Sequence, residues 1–435
     1  MNKPVNANQE FQSDFLSVTE ARNAISTLIQ DIQLQAKRSD TMERLPLKQC
    51  LGRILGNDIL SPINVPANDN SAMDGFAFNS KELKTDREQI HLRVVGTVYA
   101  GQTSVPPIQA SECIKIMTGA MMPPDCDTVI PQEFTKSSEE GGSITFAKDT
   151  VRAGENRRLR GEDLQAGKPA IQQGRTLKAS DIGLAASLGI AELSVYQRIK
   201  VAILSSGDEL CDMSEPLIPG KIYDSNRFSL HACLSQLGFE IMDCGIVRDI
   251  PEDLRRAFIL ASQQADVIIS SGGVSVGEAD FTKQIMDELG EVGFWKIAMR
   301  PGRPMAFGSL KPISPKTSPT VFFGLPGNPV AVMVTFYQFV RNALLQLNGA
   351  LKPEIPLVLV QSAEAIRKKS GRTEFQRGVL FRNSEGKLFV KSTGSQGAGI
   401  LRSMSEANCF MILHHDQGNI APGDWVDVEI FDGLL

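Results

Sequence analysis

Between residues 199 and 347, short apolar runs alternate with amphipathic segments. The apolar runs are IKVAILSSG (199–207), FEIMDCGIV (239–247), DVIISSGG (266–273), FWKIAM (294–299) and TVFFGLPG (320–327). The segments between them have helical character, as in NRFSLHACLSQLG (226–238) and PEDLRRAFILASQQA (251–265). Apolar strands that alternate with amphipathic helices predict an α/β fold, with a doubly wound, mostly parallel sheet that is covered on both faces.

The rest of the chain has a different texture on each side of this region. Residues 14–37 show a helical period, residues 45–155 are short β-type runs with Gly/Pro turns, and the pattern after residue 353 is all β. We therefore predict five parts: an N-terminal helix and linker (1–45), an inserted β-rich lobe (46–155), a connecting segment packing with the N-terminal region (156–190), the α/β domain (191–349) and a C-terminal small β-barrel (350–435).

Composition excludes several classes of protein. The 50 acidic and 45 basic residues give a net charge of −5, which argues against a nucleic-acid binder. The N-terminus lacks a signal-peptide pattern, and the most apolar stretch (321–340) is broken by two prolines and an asparagine. This stretch predicts a buried strand, turn and helix, with no membrane span. Seven cysteines without a C-x-x-C pair favour a reduced, cytoplasmic protein, and four histidines make zinc or triad chemistry a poor hypothesis.

Strings of small and acidic residues follow two predicted strands. In SSGDEL (205–210), Ser and Gly would let backbone N–H groups approach an anion, while the carboxylates could bind a metal or ribose hydroxyls. In SSGGVSVGEADFTK (270–283), the glycines form a cradle for a phosphate or a flat ring. The alternative for both strings is a turn with an acidic helix N-cap, Asp280 in the second case.

Three further strings contain prolines, and two of them also contain a candidate helix N-cap. Arg300 and Arg303 flank a Pro-Gly turn in MRPGRPMAFG (299–308), which suits an oxyanion or phosphate, with solvated surface charge as the alternative. In GLPGNPVA (324–331), Asn328 is predicted to cap a helix whose N-terminus attracts an anion. Asp249, followed by Pro251 and Glu252, matches a structural helix cap.

Two strings outside the α/β region are ambiguous alone. NSAMDGFAF (70–78) holds Asp74-Gly75, a commonplace turn. AGENRRLRGEDL (153–164) fits anion binding or a salt-bridged surface segment equally well. Neither a dinucleotide fingerprint nor a P-loop is present, since GEDLQAGKP (161–169) has the wrong spacing and a proline after its lysine.

Taken together and in order, the strings resemble the MoeA family of molybdopterin molybdenumtransferases, which includes the C-terminal domain of gephyrin. They are DNSAMDGFA, TGAMMPPDCDTVIPQE, GEDL, SSGDEL, SGGVSVGEADFTK, RPGRP, GLPGNPVA, GRTEFQRG and GSQGAGILRSM. The resemblance implies a molybdopterin-binding central domain and molybdate insertion into adenylylated molybdopterin, with Mg²⁺-dependent release of AMP.

The resemblance also implies partners: a homodimer, in which the β-rich lobe reaches the partner's α/β domain, and transient contacts with molybdopterin adenylyltransferase and molybdoenzymes. Two alternatives remain. One is molybdopterin adenylyltransferase, which the additional segments disfavour, and the other is a scaffold or receptor-binding protein of gephyrin type.

Roles for individual residues follow from the same resemblance. The implied catalytic carboxylates are Asp74, Asp163, Glu209, Asp249 and Asp280, of which Glu209, Asp249 and Asp280 would bind Mg²⁺. The implied substrate-binding residues are Ser206, Gly207, Asp208, Gly272, Gly273, Ser275, Pro326, Asn328 and Pro329. The implied molybdate-binding residues are Arg300, Arg303, Arg372 and Ser395. The family pattern usually has Lys where Arg300 and Arg303 stand, and Tyr where Phe76 stands.

Overall fold

A computed structural model describes residues 15–35, 41–103, 106–272, 279–351 and 355–431, with the backbone alone at 279–281. The chain divides into two compact units. The first comprises Met1–Asn57, Gln173–Gly183 and Ala191–Leu435, and the second comprises Asp58–Gln172 and Leu184–Ile190. Each unit is described by itself.

Most helices lie in segments with a predicted helical pattern, but a short helix, Arg402–Glu406, lies in the C-terminal region that the sequence predicts to be all β. In chain order they are α1 (Val18–Gln35), α2 (Ala179–Ser187), α3 (Ser225–Gln236), α4 (Pro251–Gln264), α5 (Ala279–Leu289), α6 (Pro329–Thr335), α7 (Arg341–Leu347) and α8 (Arg402–Glu406). A π-helical turn, Phe336–Val340, joins α6 to α7 in one continuous helix. Short 3-10 turns occur at Leu47–Gln49, Ser80–Leu83, Gln132–Phe134 and Lys148–Thr150.

Short and long strands occur on both sides of residue 200. They are β1 (Met42–Pro46), β2 (Ile59–Leu60), β3 (Asn70–Ser71), β4 (Gly75–Phe78), β5 (Gln89–Val98), β6 (Glu112–Ile116), β7 (Thr128–Pro131), β8 (Lys136–Ser137), β9 (Ser143–Ala147), β10 (Arg157–Arg158), β11 (Pro169–Ile171), β12 (Glu192–Tyr196), β13 (Lys200–Ser206), β14 (Leu210–Cys211), β15 (Ile222–Tyr223), β16 (Glu240–Val247), β17 (Val267–Ser271), β18 (Gly290–Lys296), β19 (Met299–Arg300), β20 (Pro304–Leu310), β21 (Thr320–Leu325), β22 (Val358–Ser362), β23 (Thr373–Arg382), β24 (Leu388–Ser392), β25 (Cys409–Leu413) and β26 (Trp425–Ile430).

The first unit is organised by a six-stranded sheet in the order β16-β13-β17-β21-β20-β18. The first four strands are mutually parallel, and β20 and β18 add an antiparallel edge. Alternate residues of β13 enter different cores: Val201 and Ile203 pack with α1, α3, α6 and α7, whereas Ala202 and Leu204 pack with α4 and α5. The prediction of a mostly parallel sheet covered on both faces is confirmed.

Parallel strands end at one edge of a sheet, and this rule positions the site. Strands β13, β17 and β21 end at Ser206, Ser271 and Leu325, and Asp249 follows the end of β16. Ligands of open α/β sheets bind in the crevice outside these carboxyl ends. The strings singled out in the sequence therefore converge on this edge.

The C-terminal strands form the predicted barrel. Five strands close in the order β23-β24-β22-β26-β25, because β25 pairs back to β23. Strand β19 pairs in parallel with β23, so the segment that begins the Arg-Pro-Gly-Arg turn is hydrogen-bonded to the barrel. The turn between the central sheet and the barrel is thus anchored at both ends.

The second unit is β-rich. Its main sheet has the order β7-β4-β6-β5-β9-β8, and separate apolar clusters include Phe78 with Phe146 and Ile114 with Val129. Together with the central sheet and the barrel, this confirms the predicted mixed α/β multidomain fold.

The most apolar stretch forms β21, a turn and the helix Pro329–Leu347, as predicted. By length and composition this helix could cross a membrane. However, 72% of its apolar window is buried inside the protein, where it covers one face of the central sheet. Its apolar character is therefore explained by core packing.

Candidate active site at the carboxyl edge of the central sheet

A cavity of about 460 Å³ opens at the carboxyl edge of the central sheet. It is lined by Ser206, Gly207, Glu209, Asp249, Gly272, Arg300, Pro301, Gly302, Arg303, Pro304, Pro326, Gly327, Asn328, Ala331, Gln396 and Ala398. These residues come from strand ends, from the arginine turn and from a loop of the barrel region. All of them belong to the first unit, so the cavity is formed within one compact body.

Two glycines allow the strand ends to approach each other. Gly272 has φ +89°, and a Cβ there would lie 2.2 Å from the Ser206 carbonyl oxygen. Gly207 has φ +155°, and a Cβ there would lie 2.6 Å from Oε2 of Glu209. Both positions therefore require glycine, and the second lets the Glu209 carboxylate fold back over the chain.

Asp249 is part of the cavity and does not cap a helix, so the structural interpretation of this residue is wrong. Pro251 occupies the first turn of α4, which makes Ile250 the N-cap residue, and Ile250 makes no side-chain cap bond. The Ser206 hydroxyl instead donates a hydrogen bond to the Asp249 carboxylate. This bond joins the ends of two parallel strands at the cavity wall.

The acidic-cap alternative for the SSGDEL string is also wrong. The string is followed by β14, which pairs with β15, and the cap of α3 is Asp224, whose carboxylate accepts a hydrogen bond from Arg227 N at 3.2 Å. Glu209 lines the cavity, whereas Asp208 does not belong to the lining and its carbonyl accepts from Lys221.

The other predicted loop residues are partly described. The cavity is lined by three residues of this loop, Pro326, Gly327 and Asn328. As predicted, Asn328 is the N-cap of α6 and Pro329 follows it, but the Asn328 side chain makes no cap bond. The Val330 N–H donates to the Ala398 carbonyl at 3.1 Å, so one free donor of the helix N-terminus is already satisfied. Gly273 and Ser275 lie outside the described residues, and only the backbone of Asp280, in the first turn of α5, is described.

Oxygen donors at the strand ends of the cavity fit a magnesium ion. Mg²⁺ prefers oxygen ligands and is usually bound by one or two carboxylates together with waters and phosphate oxygens. Glu209, Asp249 and the Ser206 hydroxyl offer such donors. Within the described residues, no group of three His, Cys, Asp or Glu side chains is assembled for a metal.

Asn226 is a buried residue that sequence reasoning missed. Its Nδ2 group donates to Ser271 Oγ at 2.8 Å and to the Gly327 carbonyl at 2.7 Å, so it connects two cavity-forming loops. In the sequence, an asparagine in the first turn of a helix, just after the Asp224 cap, gives no signal of this role.

The four predicted oxyanion residues differ in whether they line the cavity. Arg300 and Arg303 line the cavity, and both side chains are exposed. Arg372 lines a second cavity of about 710 Å³, which Arg300 and Arg303 also line, and its Nε donates to Glu374 Oε1 at 2.9 Å. Ser395 is exposed, and its carbonyl rather than its hydroxyl accepts from Arg377 at 3.4 Å.

Arg377 is the cation that sequence reasoning missed. It is 1% exposed, and it donates to the Ser403 hydroxyl at 3.0 Å and the Gly397 carbonyl at 3.1 Å. In the described part of the chain it has no carboxylate partner. Burial, and then repulsion from Arg300, lowers the pKa of Arg377 to about 10. A buried cation without a counterion is costly, so an anion held near Arg300 and Arg377 would relieve this cost.

Two predicted carboxylates belong to the second unit. Asp74 is exposed, and it accepts hydrogen bonds from Thr118 N and from Thr118 Oγ1, both at 2.7 Å. These bonds, the hydroxyl first, hold the pKa of the Asp74 carboxyl below its ordinary value. Asp163 is exposed, and its N–H donates to the Val65 carbonyl at 3.0 Å. Phe76 is buried in an apolar cluster of this unit.

The cavity lies at the carboxyl edge of an open α/β sheet, where ligands of this fold class bind, and the α/β region matches a family model described as molybdopterin-binding. Residues 202–346 match the probable molybdopterin binding domain. Residues 16–189 match the MoeA N-terminal region (domain I and II), and residues 360–431 match the MoeA C-terminal region (domain IV).

Known proteins extend this agreement over most of the chain. A molybdopterin molybdenumtransferase of Haemophilus influenzae is 41% identical over 93% of this chain and 100% of its own length. A crystal structure of a molybdopterin biosynthesis moeA protein from Pyrococcus horikoshii is 26% identical, with a TM-score of 0.76 over 96% of this chain and 100% of that one. The chain belongs to the MoeA family of molybdopterin molybdenumtransferases, enzymes of molybdenum cofactor biosynthesis.

The gephyrin-type alternative has weaker support. Gephyrin of Dictyostelium discoideum is 30% identical over 89% of this chain, but the match spans only 59% of that protein. The transferase relative, by contrast, is matched along its whole length.

Proposed function

We propose that the chain inserts molybdate into adenylylated molybdopterin and releases AMP, with Mg²⁺ as its cofactor. The observation that supports this proposal is that the cavity lining combines two groups of residues, which we call its acidic wall and its cationic wall. One wall offers Glu209, Asp249 and the glycine-lined strand ends, and the other offers Arg300 and Arg303. A phosphoanhydride with its metal suits the first wall, and a dianionic oxyanion suits the second.

On the acidic wall, Glu209 and Asp249 would hold Mg²⁺, and the family resemblance adds Asp280 as a third carboxylate for the ion. When bound, this ion would neutralise phosphate charge and favour departure of the AMP phosphate. The hydrogen bond from Ser206 orients the Asp249 carboxylate, and the absence of a side chain at Gly207 and Gly272 lets phosphate oxygens approach backbone N–H groups. The roles of Asp74 and Asp163 in the same reaction are proposed from the family resemblance.

On the cationic wall, Arg300 and Arg303 would bind molybdate, and Arg377 would add a positive charge behind them. Guanidinium groups offer in-plane N–H donors to oxyanions, and the absence of a carboxylate partner on Arg377 within the described residues leaves its charge uncompensated. Binding of a dianion would therefore be favoured electrostatically at this wall.

We also propose that the protein is a cytoplasmic homodimer. Several large apolar side chains are exposed on one segment of the first unit, and they provide a surface for a second copy: Met213, Leu217, Ile218, Ile222 and Tyr223. All seven cysteines are free thiols, as expected in a reducing compartment. Transient contacts with the adenylyltransferase that supplies the substrate, and with molybdoenzymes, belong to the same proposal.

The test is a reconstituted reaction. Purified protein is mixed with adenylylated molybdopterin, Mg²⁺ and molybdate, and AMP is measured over time. We expect AMP release that requires both Mg²⁺ and molybdate. A wild-type protein that releases no AMP in a molybdate-dependent way would refute the proposed reaction, and release without added divalent cation would refute the role of Mg²⁺.

A further inference from the structure

We propose that Phe15 is a positioning residue for the oxyanion, acting through the guanidinium group of Arg303. The Arg303 Cζ atom lies 4.2 Å from the centroid of the Phe15 ring, which is a cation–π contact. Both residues line the second cavity, and Arg303 lines the first cavity as well. This inference rests on the proposed function, because it assigns to Phe15 the orientation of a group that would bind molybdate.

The Phe15 ring is held against the arginine turn by its own backbone. Leu16 N donates to the Lys296 carbonyl at 2.9 Å, and Ala298 N donates to the Leu16 carbonyl at 2.7 Å. Ile297 N in turn donates to the Arg303 carbonyl at 2.8 Å. Segments 15–16, 296–298 and 303 therefore form one hydrogen-bonded unit, and the ring and the guanidinium group are fixed to the same backbone.

The start of α1 fixes the segment from the other side. Ser17 N donates to Glu20 Oε2 at 2.7 Å, and Glu20 N donates to Ser17 Oγ at 3.1 Å, which is a capping box. The pKa of the Glu20 carboxyl is lowered by the Ser17 backbone bond first and by its hydroxyl next. Glu20 also lines the second cavity, but its carboxylate is engaged with the helix start. This carboxylate forms no ion pair with Arg300 or Arg303.

The charges around the turn leave Arg303 available to an anion. Arg372, in the same cavity, forms an ion pair with Glu374. Neither Arg300 nor Arg303 forms an ion pair with any carboxylate of the described residues. The Arg303 guanidinium instead lies over the uncharged Phe15 ring, which stabilises the cation without a carboxylate partner.

The shape of the guanidinium group explains why the ring matters. A planar guanidinium that rests with its face on a ring keeps its N–H donors at the edge of its plane, where they can meet two oxygens of an oxyanion. A lysine ammonium would also be attracted by the ring, but it has no plane for the ring to orient. The contact therefore aligns Arg303 before the anion binds, which lowers the conformational cost of binding.

Direct molybdate binding tests this role without turnover. Sodium molybdate is titrated calorimetrically into the full chain and into Phe15→Leu, Phe15→Trp, Arg303→Lys and Phe15→Leu/Arg303→Lys variants. We expect Phe15→Leu to raise the molybdate Kd about two- to fivefold, and Phe15→Trp to restore it. In the Arg303→Lys background, Phe15→Leu should have a smaller effect, because the ring has no planar group to align.

A matched control separates the contact from a general loss of an aromatic ring. Phe381 lies on a barrel strand and makes a similar contact: the Lys391 ammonium nitrogen lies 5.4 Å from the centroid of the Phe381 ring. Phe381 lines neither cavity of the proposed site. Phe381→Leu should leave the molybdate Kd unchanged. Melting temperatures of all variants show whether any has lost its fold, and if Phe15→Leu is unstable, Phe15→Met, which also removes the ring, takes its place and should raise the molybdate Kd in the same way.

Several outcomes would overturn the inference. The first is a wild-type protein that does not bind molybdate, and the second is an unchanged molybdate Kd in Phe15→Leu. The third is an effect of Phe15→Leu on the Kd that is equally large in the Arg303→Lys background. In the AMP assay, Phe15→Leu should raise the KM for molybdate and leave kcat unchanged. If wild-type protein releases no AMP, the proposed reaction fails, but the calorimetric comparison still decides the role of Phe15.

Discussion

The two walls of the cavity are built in different ways. The acidic wall consists of the ends of neighbouring parallel strands, where the backbones of Ser206 and Gly272 lie close together. The Asp249 carboxylate accepts a hydrogen bond from the Ser206 hydroxyl. The cationic wall is the turn with Arg300 and Arg303, and the barrel strand behind it carries the buried Arg377, which does not line the cavity. The acidic wall therefore depends on backbone geometry, and the cationic wall on side-chain packing between elements.

The largest expected effect comes from adding a methyl group to the acidic wall. In Gly272→Ala, the new Cβ would meet the Ser206 carbonyl oxygen at 2.2 Å, in a backbone conformation with φ +89°. We expect the free energy of unfolding to fall by about 2–5 kcal/mol and AMP release to be lost. Urea denaturation and the AMP assay measure both.

Gly386→Ala is the control for this change. Gly386 has φ +78° but has no heavy atom within 4 Å of its hypothetical Cβ, so it shares the backbone strain and lacks the clash. It should cost only about 1–2 kcal/mol and leave AMP release intact. Equal costs at the two glycines would contradict the close approach of the two strand ends.

The next effect separates charge from geometry on the same wall. Asp249→Asn keeps an oxygen that can accept the Ser206 hydrogen bond but removes the negative charge. We expect AMP release to fall about a hundredfold or more, with the melting temperature little changed, because Ile250 and not Asp249 is the N-cap of α4. Asp253→Asn, in the first turn of the same helix and outside the cavity lining, is the control. A large loss of stability in Asp249→Asn with normal turnover would restore the capping interpretation.

On the cationic wall, the decisive change is Arg377→Met. Replacing a buried cation that lacks a described carboxylate partner with an apolar side chain of similar length should alter the free energy of unfolding by less than about 2 kcal/mol. The molybdate Kd should rise about three- to tenfold, because a positive charge behind Arg300 and Arg303 is lost. Arg382→Met, on the same strand but exposed, is the control. An unchanged Kd would remove Arg377 from the oxyanion wall.

The difference between the walls also explains what the sequence could predict. Alternating apolar runs predict the central sheet, and the rule that ligands bind at strand ends leads directly to Ser206, Gly207 and Gly272. Arg377 and Asn226 could not be found in this way, because their importance comes from burial and from partners distant in the chain. The capping interpretation of Asp249 fails for a local reason: Asp249 and Ile250 both precede Pro251, and only the backbone decides which residue caps the helix.

The smallest expected effect defines where the cationic wall ends. The family resemblance groups Arg372 with the oxyanion residues, but its guanidinium group pairs with Glu374, which is 2% exposed, and it lines only the second of the two cavities. In Arg372→Gln, the amide can still donate to Glu374, whose other oxygen already accepts from Gln376 at 3.0 Å. We expect the molybdate Kd to change less than about threefold, as for a side chain whose charge is already compensated. A tenfold rise measured by calorimetry would instead mean that the second cavity belongs to the oxyanion wall, and that Glu374 releases Arg372 when the anion arrives.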